Sequence, residues 1–497
     1  MGIPSIIKQF FSAKGGRSLL VKGNSGTGKT TFSLMCMEDM ANINNSFYFT
    51  TRVSDEALYS HFEWLKKKEW HDRILDASRM LLKTILPPLE EKEDGKNELV
   101  EASKSFLQII YGDISSSPVR IEKKMLRALN EECEIPELQS LYYRVETSFP
   151  KETFVVLDSL NGLSERYGVP MSRILTVLQK DLVECTHINL LAVVEEGEAH
   201  HLDYIADGVV TFRKVMHEGR RYRVMLVEKL RGVEISKPAQ VFTLAEGRFN
   251  HIPAFPEREI PPRILQDVEA DGMYSTGIPE LDSILGGGFP RGSNVLVEFI
   301  SHVPHSLLRY LTETYLCSFL KVGRGVMVVP FTDMCPEDYV ASAEKAVSSD
   351  AVAERLRIAE KVFFEKEQEY PYILPLTFED AVRDYDNWRR EMERLARVTG
   401  QPVLELIALE TQEARLGVES YKIPLSLSSE IARREGHLTI RFAKPGLGPI
   451  VDRVSNYSNI HIKIGQIDGA LVLYCEKPHS MMYGVIMEDR LRLVPLV

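Results

Sequence analysis

The glycine-rich segment at residues 23–30 constrains the fold of this chain more than any other feature of its sequence. It reads Gly-Asn-Ser-Gly-Thr-Gly-Lys-Thr, a full match to the spacing G-x-x-x-x-G-K-[ST]. A short apolar run at residues 18–21 precedes it and an amphipathic stretch follows it, so the pattern predicts a strand, a tight loop and a helix. Glycines let backbone N–H groups surround phosphate oxygens, and the start of the helix adds partial positive charge. We therefore expect a phosphate-binding loop at residues 23–30, called the phosphate loop below.

Short apolar runs alternate with longer amphipathic stretches in the first half, which predicts an α/β fold with a mostly parallel central sheet. Four runs are predicted to be parallel strands, at residues 18–21, 46–50, 154–157 and 190–194. Three further segments have little helix between them and are predicted to be antiparallel strands, at residues 208–213, 222–227 and 239–244.

The chain is predicted to contain two related domains, at residues 1–250 and 266–497. Residues 251–265 hold four prolines and are predicted to form a linker between them. A charge-rich stretch at about residues 66–150 is longer than a crossover requires, which predicts a helical insertion in the first domain. Residues 292–298 repeat the pattern of residues 16–22, which indicates a diverged tandem duplication.

Composition narrows the class of protein. The net charge is −11, and most of the acidic excess falls in the second half, which weighs against nucleic-acid binding over the whole surface. The six cysteines are scattered without metal-ligand spacing, as expected of a protein in a reducing compartment. No apolar stretch of 18 residues occurs, so we expect a cytoplasmic protein without a membrane partner.

The phosphate loop predicts an ATP site with Mg²⁺. Lys29 is expected to reach the β- and γ-phosphates and Thr30 to ligate the metal. Asp158 ends the apolar run that begins at Thr153, and an acidic residue at the end of a neighbouring strand is what a magnesium site in such proteins needs. An Asp that only caps the following turn is the alternative. The expected nucleotide-binding residues are Gly23, Asn24, Ser25, Gly26, Thr27, Gly28, Lys29, Thr30 and Thr31.

These residues resemble the KaiC-like branch of the RecA superfamily of P-loop ATPases. Residues 274–282, Tyr-Ser-Thr-Gly-Ile-Pro-Glu-Leu-Asp, and residues 285–293, Leu-Gly-Gly-Gly-Phe-Pro-Arg-Gly-Ser, are similar to the family's lead-in to its phosphate loop, and 157–159 to its second nucleotide motif. Residues 3–11 and 51–56 are similar to the GvpD subgroup, the archaeal gas-vesicle regulatory proteins. The resemblance implies tandem RecA/KaiC-like domains with mostly parallel sheets.

The resemblance also implies a homo-oligomer with nucleotide at its subunit interfaces. Family members use a Lys-x-Arg-Gly segment to reach the γ-phosphate held by a neighbouring subunit, and Lys229 and Arg231 match it. An arginine supplied in this way stabilises charge on the transferred phosphoryl group. A basic strand edge that ends in a turn is the alternative interpretation.

The chain departs from the family at its catalytic positions. Arg52 and Val53 stand where family members carry paired glutamates, and losing a general base costs about 10²- to 10⁴-fold in rate. Glu195, Glu196 or Glu56 are the candidate substitutes, or they only solvate loops. The sequence therefore leaves open whether ATP is hydrolysed slowly or not at all.

The second domain is predicted to be degenerate, without a working phosphate loop. Phe299 stands where the first loop glycine would be, and His305 stands at the lysine position. Pro304 has no N–H to offer a phosphate.

Two classes of function fit these residues. The first is a nucleotide-dependent regulator that acts through protein partners; a GvpD-like protein would repress gas-vesicle genes through a transcriptional activator. The second is a recombinase-like ATPase on single-stranded DNA. The basic clusters at 220–223 and 388–390 would then meet nucleic acid, with Tyr222 or Trp388 stacked on a base, although a solvated surface is the simpler interpretation.

Overall fold

The structure is a computed structural model of the chain. It describes residues 2–40, 45–67, 70, 73–76, 135, 138, 141–145, 153–195, 200–361, 370–377, 380–416 and 422–497. Most of the expected helical insertion at about 66–150 lies outside the described residues. The chain divides into two compact units, one comprising Met1–Val215 and Arg223–His251, the other Met216–Tyr222 and Ile252–Val497.

The first unit is an α/β unit built on one sheet. Its described strands are β1 (Ser18–Gly23), β2 (Ser46–Thr50), β3 (Ile74–Asp76), β4 (Phe154–Asp158), β5 (Asn189–Glu195), β6 (Gly208–His217), β7 (Arg220–Leu230), β8 (Ala239–Thr243) and β9 (Asn250–His251). Its described α-helices are α1 (Ser5–Phe11), α2 (Lys29–Met40), α3 (Asp55–His61), α4 (Leu160–Tyr167) and α5 (Met171–Leu178). A π-helical turn, Gln179–Cys185, continues α5.

The order of the nine strands is β3-β2-β4-β5-β1-β6-β7-β8-β9. The strands from β3 to β6 pair in parallel, and β7, β8 and β9 pair antiparallel. Leu19 and Val21 pack into one hydrophobic cluster and Leu20 into another, because successive side chains of a strand point to opposite faces. Both faces of β1 are therefore buried, as is typical of parallel sheets.

The sequence predictions of strand positions are confirmed for seven strands, with two differences. Strand β6 was expected to be antiparallel, yet it pairs in parallel with β1 from Leu19 to Gly23. On its other side a two-residue turn, Glu218 and Gly219, joins β6 to its neighbour β7, and a turn this short joins only antiparallel strands. The prediction therefore omitted the parallel pairing of β6 with β1. The short edge strands β3 and β9 were not predicted, because two or three residues carry too little periodicity to be recognised.

The second unit repeats this plan. Its main described strands are β13 (Asn294–Phe299), β14 (Val326–Val329), β15 (Leu356–Glu360), β16 (Ile373–Pro375), β17 (Leu404–Ala408), β18 (Leu438–Ala443), β19 (Ile460–Ile467), β20 (Ala470–Lys477), β21 (Tyr483–Met487) and β22 (Leu491–Pro495). A small separate sheet contains β10 (Glu269–Ala270), β11 (Met273–Tyr274) and β12 (Phe289–Pro290). The described helices are α6 (Pro279–Ile284), α7 (His305–Lys321), α8 (Pro336–Ala343), α9 (Ser349–Arg355), α10 (Ala381–Thr399), α11 (Leu409–Leu416), α12 (Lys422–Glu435) and α13 (Gly448–Tyr457).

The large second sheet has the order β16-β15-β14-β17-β18-β13-β19-β20-β21-β22. Strand β13 lies between two parallel neighbours, β18 and β19, as β1 lies between β5 and β6. Apart from the extra edge strand β16, the two orders correspond strand by strand. The predicted fold class, tandem RecA/KaiC-like α/β domains with mostly parallel sheets, is confirmed.

The proline-rich segment expected as a linker packs within the second unit. Phe255 lies in the main hydrophobic cluster of that unit, and Ile260 and Leu265 pack against it. The backbone N–H groups of Arg263 and Leu265 donate to hydroxyl groups of α7. The change from one unit to the other falls between His251 and Ile252.

Candidate functional site

The phosphate loop joins β1 to α2 and depends on glycines at the points where the backbone turns. Gly23, Gly26 and Gly28 have φ angles of 151°, 71° and 107°, values that residues with a Cβ atom rarely adopt. A Cβ atom on Gly28 would lie 2.9 Å from Cδ1 of Leu244. Asn24, Ser25 and Gly26 are exposed, so a ligand can reach this part of the loop from solvent.

Lys29 is buried at the first position of α2, and its ammonium group is bound on several sides. Nζ donates to the carbonyl oxygens of Gly23 and Asn24 at 2.6 and 2.9 Å, and to Oε2 of Glu195 at 3.2 Å. The lysine side chain therefore curls back under the loop. Glu195, the last residue of β5, is the acidic partner of this cation.

Thr30 and Asp158 are in direct contact, as a shared magnesium site requires. Thr30 Oγ1 donates to Asp158 Oδ2 at 2.7 Å, and Tyr48 Oη donates to the same carboxylate oxygen at 2.6 Å. Burial, with the nearby carboxylate of Asp158 and its hydrogen bond, raises the pKa of the Tyr48 phenol. Tyr48 is therefore protonated at neutral pH and orients Asp158 as a permanent donor.

Strand register brings these side chains together. Gly23 lies opposite Glu195 across β1 and β5, and Asp158 lies opposite Val193 across β4 and β5. The carboxyl ends of parallel strands meet at one edge of the sheet, which is where α/β proteins bind ligands. Sequence analysis had no means to pair Lys29 with Glu195 or Asp158 with Tyr48, because more than one hundred residues separate each pair.

This arrangement fits a nucleotide with Mg²⁺. The exposed loop backbone and the start of α2 supply N–H donors for phosphate, and Lys29 supplies a positive charge. Thr30 and Asp158 together supply hard oxygen atoms of the kind that Mg²⁺ prefers. The bound metal would screen phosphate charge, while the protein residues hold and orient the phosphates.

The first unit matches a known family. Residues 7–230 match the family model described as "GvpD gas vesicle protein, P-loop domain". The chain is thus similar to KaiC-like P-loop proteins and, among them, to GvpD. It is 26% identical to the protein GvpD2 of Halobacterium salinarum over 97% of this chain and 93% of that relative. It is 22% identical to GvpD1 of the same organism with the same coverage.

KaiC proteins are also similar to part of this GvpD-like chain. The circadian clock oscillator protein KaiC of Acaryochloris marina is 26% identical over 57% of the chain and 48% of the relative. The resemblance to KaiC and GvpD is thus confirmed. It supports nucleotide binding as the general property of the site.

Lys229 and Arg231 lie away from the phosphate loop of their own chain. Arg231 follows β7, and its N–H donates to the carbonyl of Asp207, which precedes β6 at the opposite edge of the sheet from residues 23–30. The Arg231 guanidinium pairs with Asp207 at 3.0 Å, and Lys229 donates to the carbonyls of Asp203 and Ala206. Burial, with the nearby Arg231, lowers the pKa of Lys229. Within one chain these two cations cannot act on the nucleotide.

The candidate substitutes for the missing glutamates have different positions. Glu195 belongs to the site through its contact with Lys29. Its backbone N–H donates a hydrogen bond to Asn161 Oδ1 at 2.9 Å. Glu56 lies exposed in the first turn of α3. Glu196 lies outside the described residues. Arg52, at the family's glutamate position, has its guanidinium 3.9 Å from Glu195 Oε1.

At the corresponding edge of the second sheet, charged side chains form ion pairs with one another. Phe299 ends β13 as Gly23 ends β1, and Ala408 ends β17 as Asp158 ends β4. Lys444 Nζ lies 2.6 Å from Asp333 and 3.3 Å from Glu410, and His305 lies 3.6 Å from Asp333. These charged side chains therefore contact one another at this edge, and of them His305 stands at the position of Lys29.

Both basic clusters considered for nucleic acid contain residues that are bound within the second unit, to which residues 216–222 also belong. Arg220 is buried and donates to the carbonyls of Cys475 and Ser480, while Tyr222 donates to Asp468. Trp388 is buried and donates to Glu405 at 2.6 Å, so the stacking role considered for it is wrong. In the described part of the chain, no helix has the length and apolar character needed to cross a bilayer.

Proposed function

We propose that this protein is an ATP-binding regulator whose first domain carries the nucleotide and whose second domain serves structure and interaction. The observation that carries the proposal is the joint placement of Lys29 under the phosphate loop and of Thr30 against Asp158 at one sheet edge. Lys29 would hold the β- and γ-phosphates, and Thr30 with Asp158 would hold Mg²⁺. In the second domain, Phe299 and His305 at the corresponding positions support the loss of phosphate binding.

Regulation through a protein partner is proposed because of the proteins to which this chain is similar. Its relatives are gas vesicle proteins and circadian clock oscillator proteins, by their names. For a GvpD-like protein we propose repression of gas-vesicle gene expression through a transcriptional activator. The relatives give no support to the recombinase alternative, and the net charge of −11 weighs against it.

We propose that the nucleotide lies between two subunits, so that one subunit senses whether the phosphate loop of its neighbour holds ATP. Arg231 is about half exposed and lies at the edge of the sheet opposite the phosphate loop. In an oligomer, Arg231 of one copy would contact the nucleotide bound to the phosphate loop of the neighbouring copy. Glu195 is the candidate base for water activation, but its pairing with Lys29 opposes that role. We therefore propose slow turnover, with the bound state as the signal.

Calorimetric titration with Mg·ATP tests the nucleotide assignment. Wild-type protein is expected to bind ATP, and Lys29→Ala is expected to lose binding because the ammonium group beneath the loop is removed. Lys237→Ala, which removes an exposed lysine of the same unit, is the matched control and should bind like wild type. Undiminished binding by Lys29→Ala would exclude this loop as the site.

Mixing experiments test the role of the neighbouring subunit. Lys29→Ala subunits can still donate Arg231, and Arg231→Ala subunits can still bind ATP, so mixed oligomers should recover part of the hydrolysis that each variant lacks. No recovery, with co-assembly verified and wild type active, contradicts the assignment. Tight, ATP-stimulated binding of single-stranded DNA at physiological salt would favour the recombinase alternative instead.

A further inference from the structure

Arg52 shares a carboxylate with the lysine of the phosphate loop. Its Nη1 lies 3.9 Å from Oε1 of Glu195, and the other oxygen of that carboxylate lies 3.2 Å from Lys29 Nζ. Two cations from different parts of the chain therefore flank one anion at the carboxyl edge of the sheet. A phosphate bound by Lys29 would therefore lie close to the Arg52 guanidinium, because only the Glu195 carboxylate separates the two cations.

The backbone around Arg52 is held in place. Thr51 N–H donates to the carbonyl of Asp158, and Thr51 Oγ1 both donates to the Ser159 carbonyl and accepts from the Ser159 N–H. Gly162 of α4 packs so closely that a Cβ atom there would lie 2.3 Å from Thr51 Oγ1 and 3.3 Å from Arg52 Cγ. The base of the Arg52 side chain is thus anchored beside Asp158, the proposed magnesium residue.

The end of the same side chain is free to change partners. The Arg52 side chain is 41% exposed, and its guanidinium pairs at 2.8 Å with Glu165 of α4, whose side chain is 69% exposed. Exposed ion pairs contribute little to stability, so a multiply charged phosphate competes easily with Glu165. A planar guanidinium also matches phosphate geometry through two parallel hydrogen bonds.

We propose that Arg52 binds the terminal phosphate of the nucleotide and thereby distinguishes ATP from ADP. In the ADP-bound and free states Arg52 stays with Glu165; with ATP it leaves Glu165 for the γ-phosphate, and Glu165 on α4 becomes unpaired. Arg52 stands where KaiC-like proteins carry a glutamate that activates water. An arginine at this position would bind the triphosphate and would not activate water. The proposal rests on nucleotide binding at the phosphate loop and names what that site senses.

Binding constants for Mg·ATP and Mg·ADP, measured by calorimetry on the full chain, test the proposal. Wild type is expected to bind ATP more tightly than ADP. Arg52→Gln should weaken ATP binding about tenfold, the effect of losing one strong charged hydrogen bond, and leave ADP binding within about twofold. Lys237→Gln removes the same charge from an exposed position and should change neither constant.

Two further variants separate recognition from folding. Arg52→Lys keeps the charge without the planar fork and should retain part of the preference for ATP. Glu165→Gln removes the competing carboxylate and should raise ATP affinity about twofold without affecting ADP. An unchanged ATP-to-ADP ratio in Arg52→Gln, or equal loss of both nucleotides, overturns the role of Arg52 while the phosphate loop assignment stands. A wild type that binds neither nucleotide overturns both.

Discussion

The loops after β1 and β13 occupy the same place in two sheets with the same strand order, yet they satisfy their charges in different ways. In the first unit Lys29 lies beneath a glycine loop with exposed backbone, and its partner Glu195 is about one-third exposed. In the second unit Lys444 binds Asp333 and Glu410, and no glycine occurs between Phe299 and Ser306. A common strand order therefore does not by itself supply a phosphate loop; the glycines and Lys29 do.

The largest expected difference between the two loops is in nucleotide stoichiometry. Wild type should bind one Mg·ATP per chain, and Lys29→Ala should lose about 100-fold or more in affinity because a charged phosphate contact is lost. His305→Ala, at the corresponding position of the second unit, should still bind one. Counting bound nucleotide by calorimetry checks this, and two nucleotides per wild-type chain would show that the second loop is functional.

Magnesium dependence should differ between the acidic residues of the two edges. Asp158→Asn removes a charge beside Thr30, so the Mg²⁺ concentration for half-maximal ATP binding should rise about tenfold. Asp333→Asn should leave it unchanged, because Asp333 is committed to Lys444. Titrating Mg²⁺ at fixed ATP measures both, and equal shifts would contradict the assignment of Asp158.

Adding one methyl group should affect the glycine loop more than the second unit. Gly28→Ala forces a positive φ on alanine and meets Leu244, so we expect about 1–2 kcal/mol lower unfolding free energy and weaker ATP binding. Gly448→Ala, at the first position of α13 in open space, should be neutral or stabilising by about 0.5 kcal/mol. Urea unfolding of each variant checks the contrast; equal effects would mean that the loop tolerates the change.

The smallest expected effect concerns the charge set of the second unit. Burial raises the pKa of Glu410, and Lys444 opposes that shift, so Lys444→Met should raise the pKa of Glu410 further. The variant should lose about 1 kcal/mol of stability at neutral pH and keep full ATP binding. Because the folded state then holds the proton more tightly, the loss should shrink as the pH falls below the raised pKa. Urea unfolding at pH 5 and pH 7.5 measures it, and a loss that grows on acidification would contradict it.

Local patterns predicted much of the fold and pointed to the residues that we propose bind the nucleotide. Residues 18–21, 46–50 and 154–157 are apolar runs next to turn residues, and each lies in a strand of the structure. Lys29, Thr30 and Asp158 were recognised because the motif spacing and the strand ending are local signals. The parallel pairing of β6 with β1 was not predicted, since it depends on which strand becomes its neighbour.

What the sequence alone determined is the phosphate loop itself: the glycines, the lysine and the helix start lie within eight consecutive residues, and their chemistry follows from spacing. Only the tertiary structure decided that Glu195 binds Lys29, that Tyr48 orients Asp158 and that Arg52 faces the same carboxylate as Lys29. The physical reason is that these contacts join strand ends far apart in the chain. They are set by strand order and register, which no local pattern of residues records.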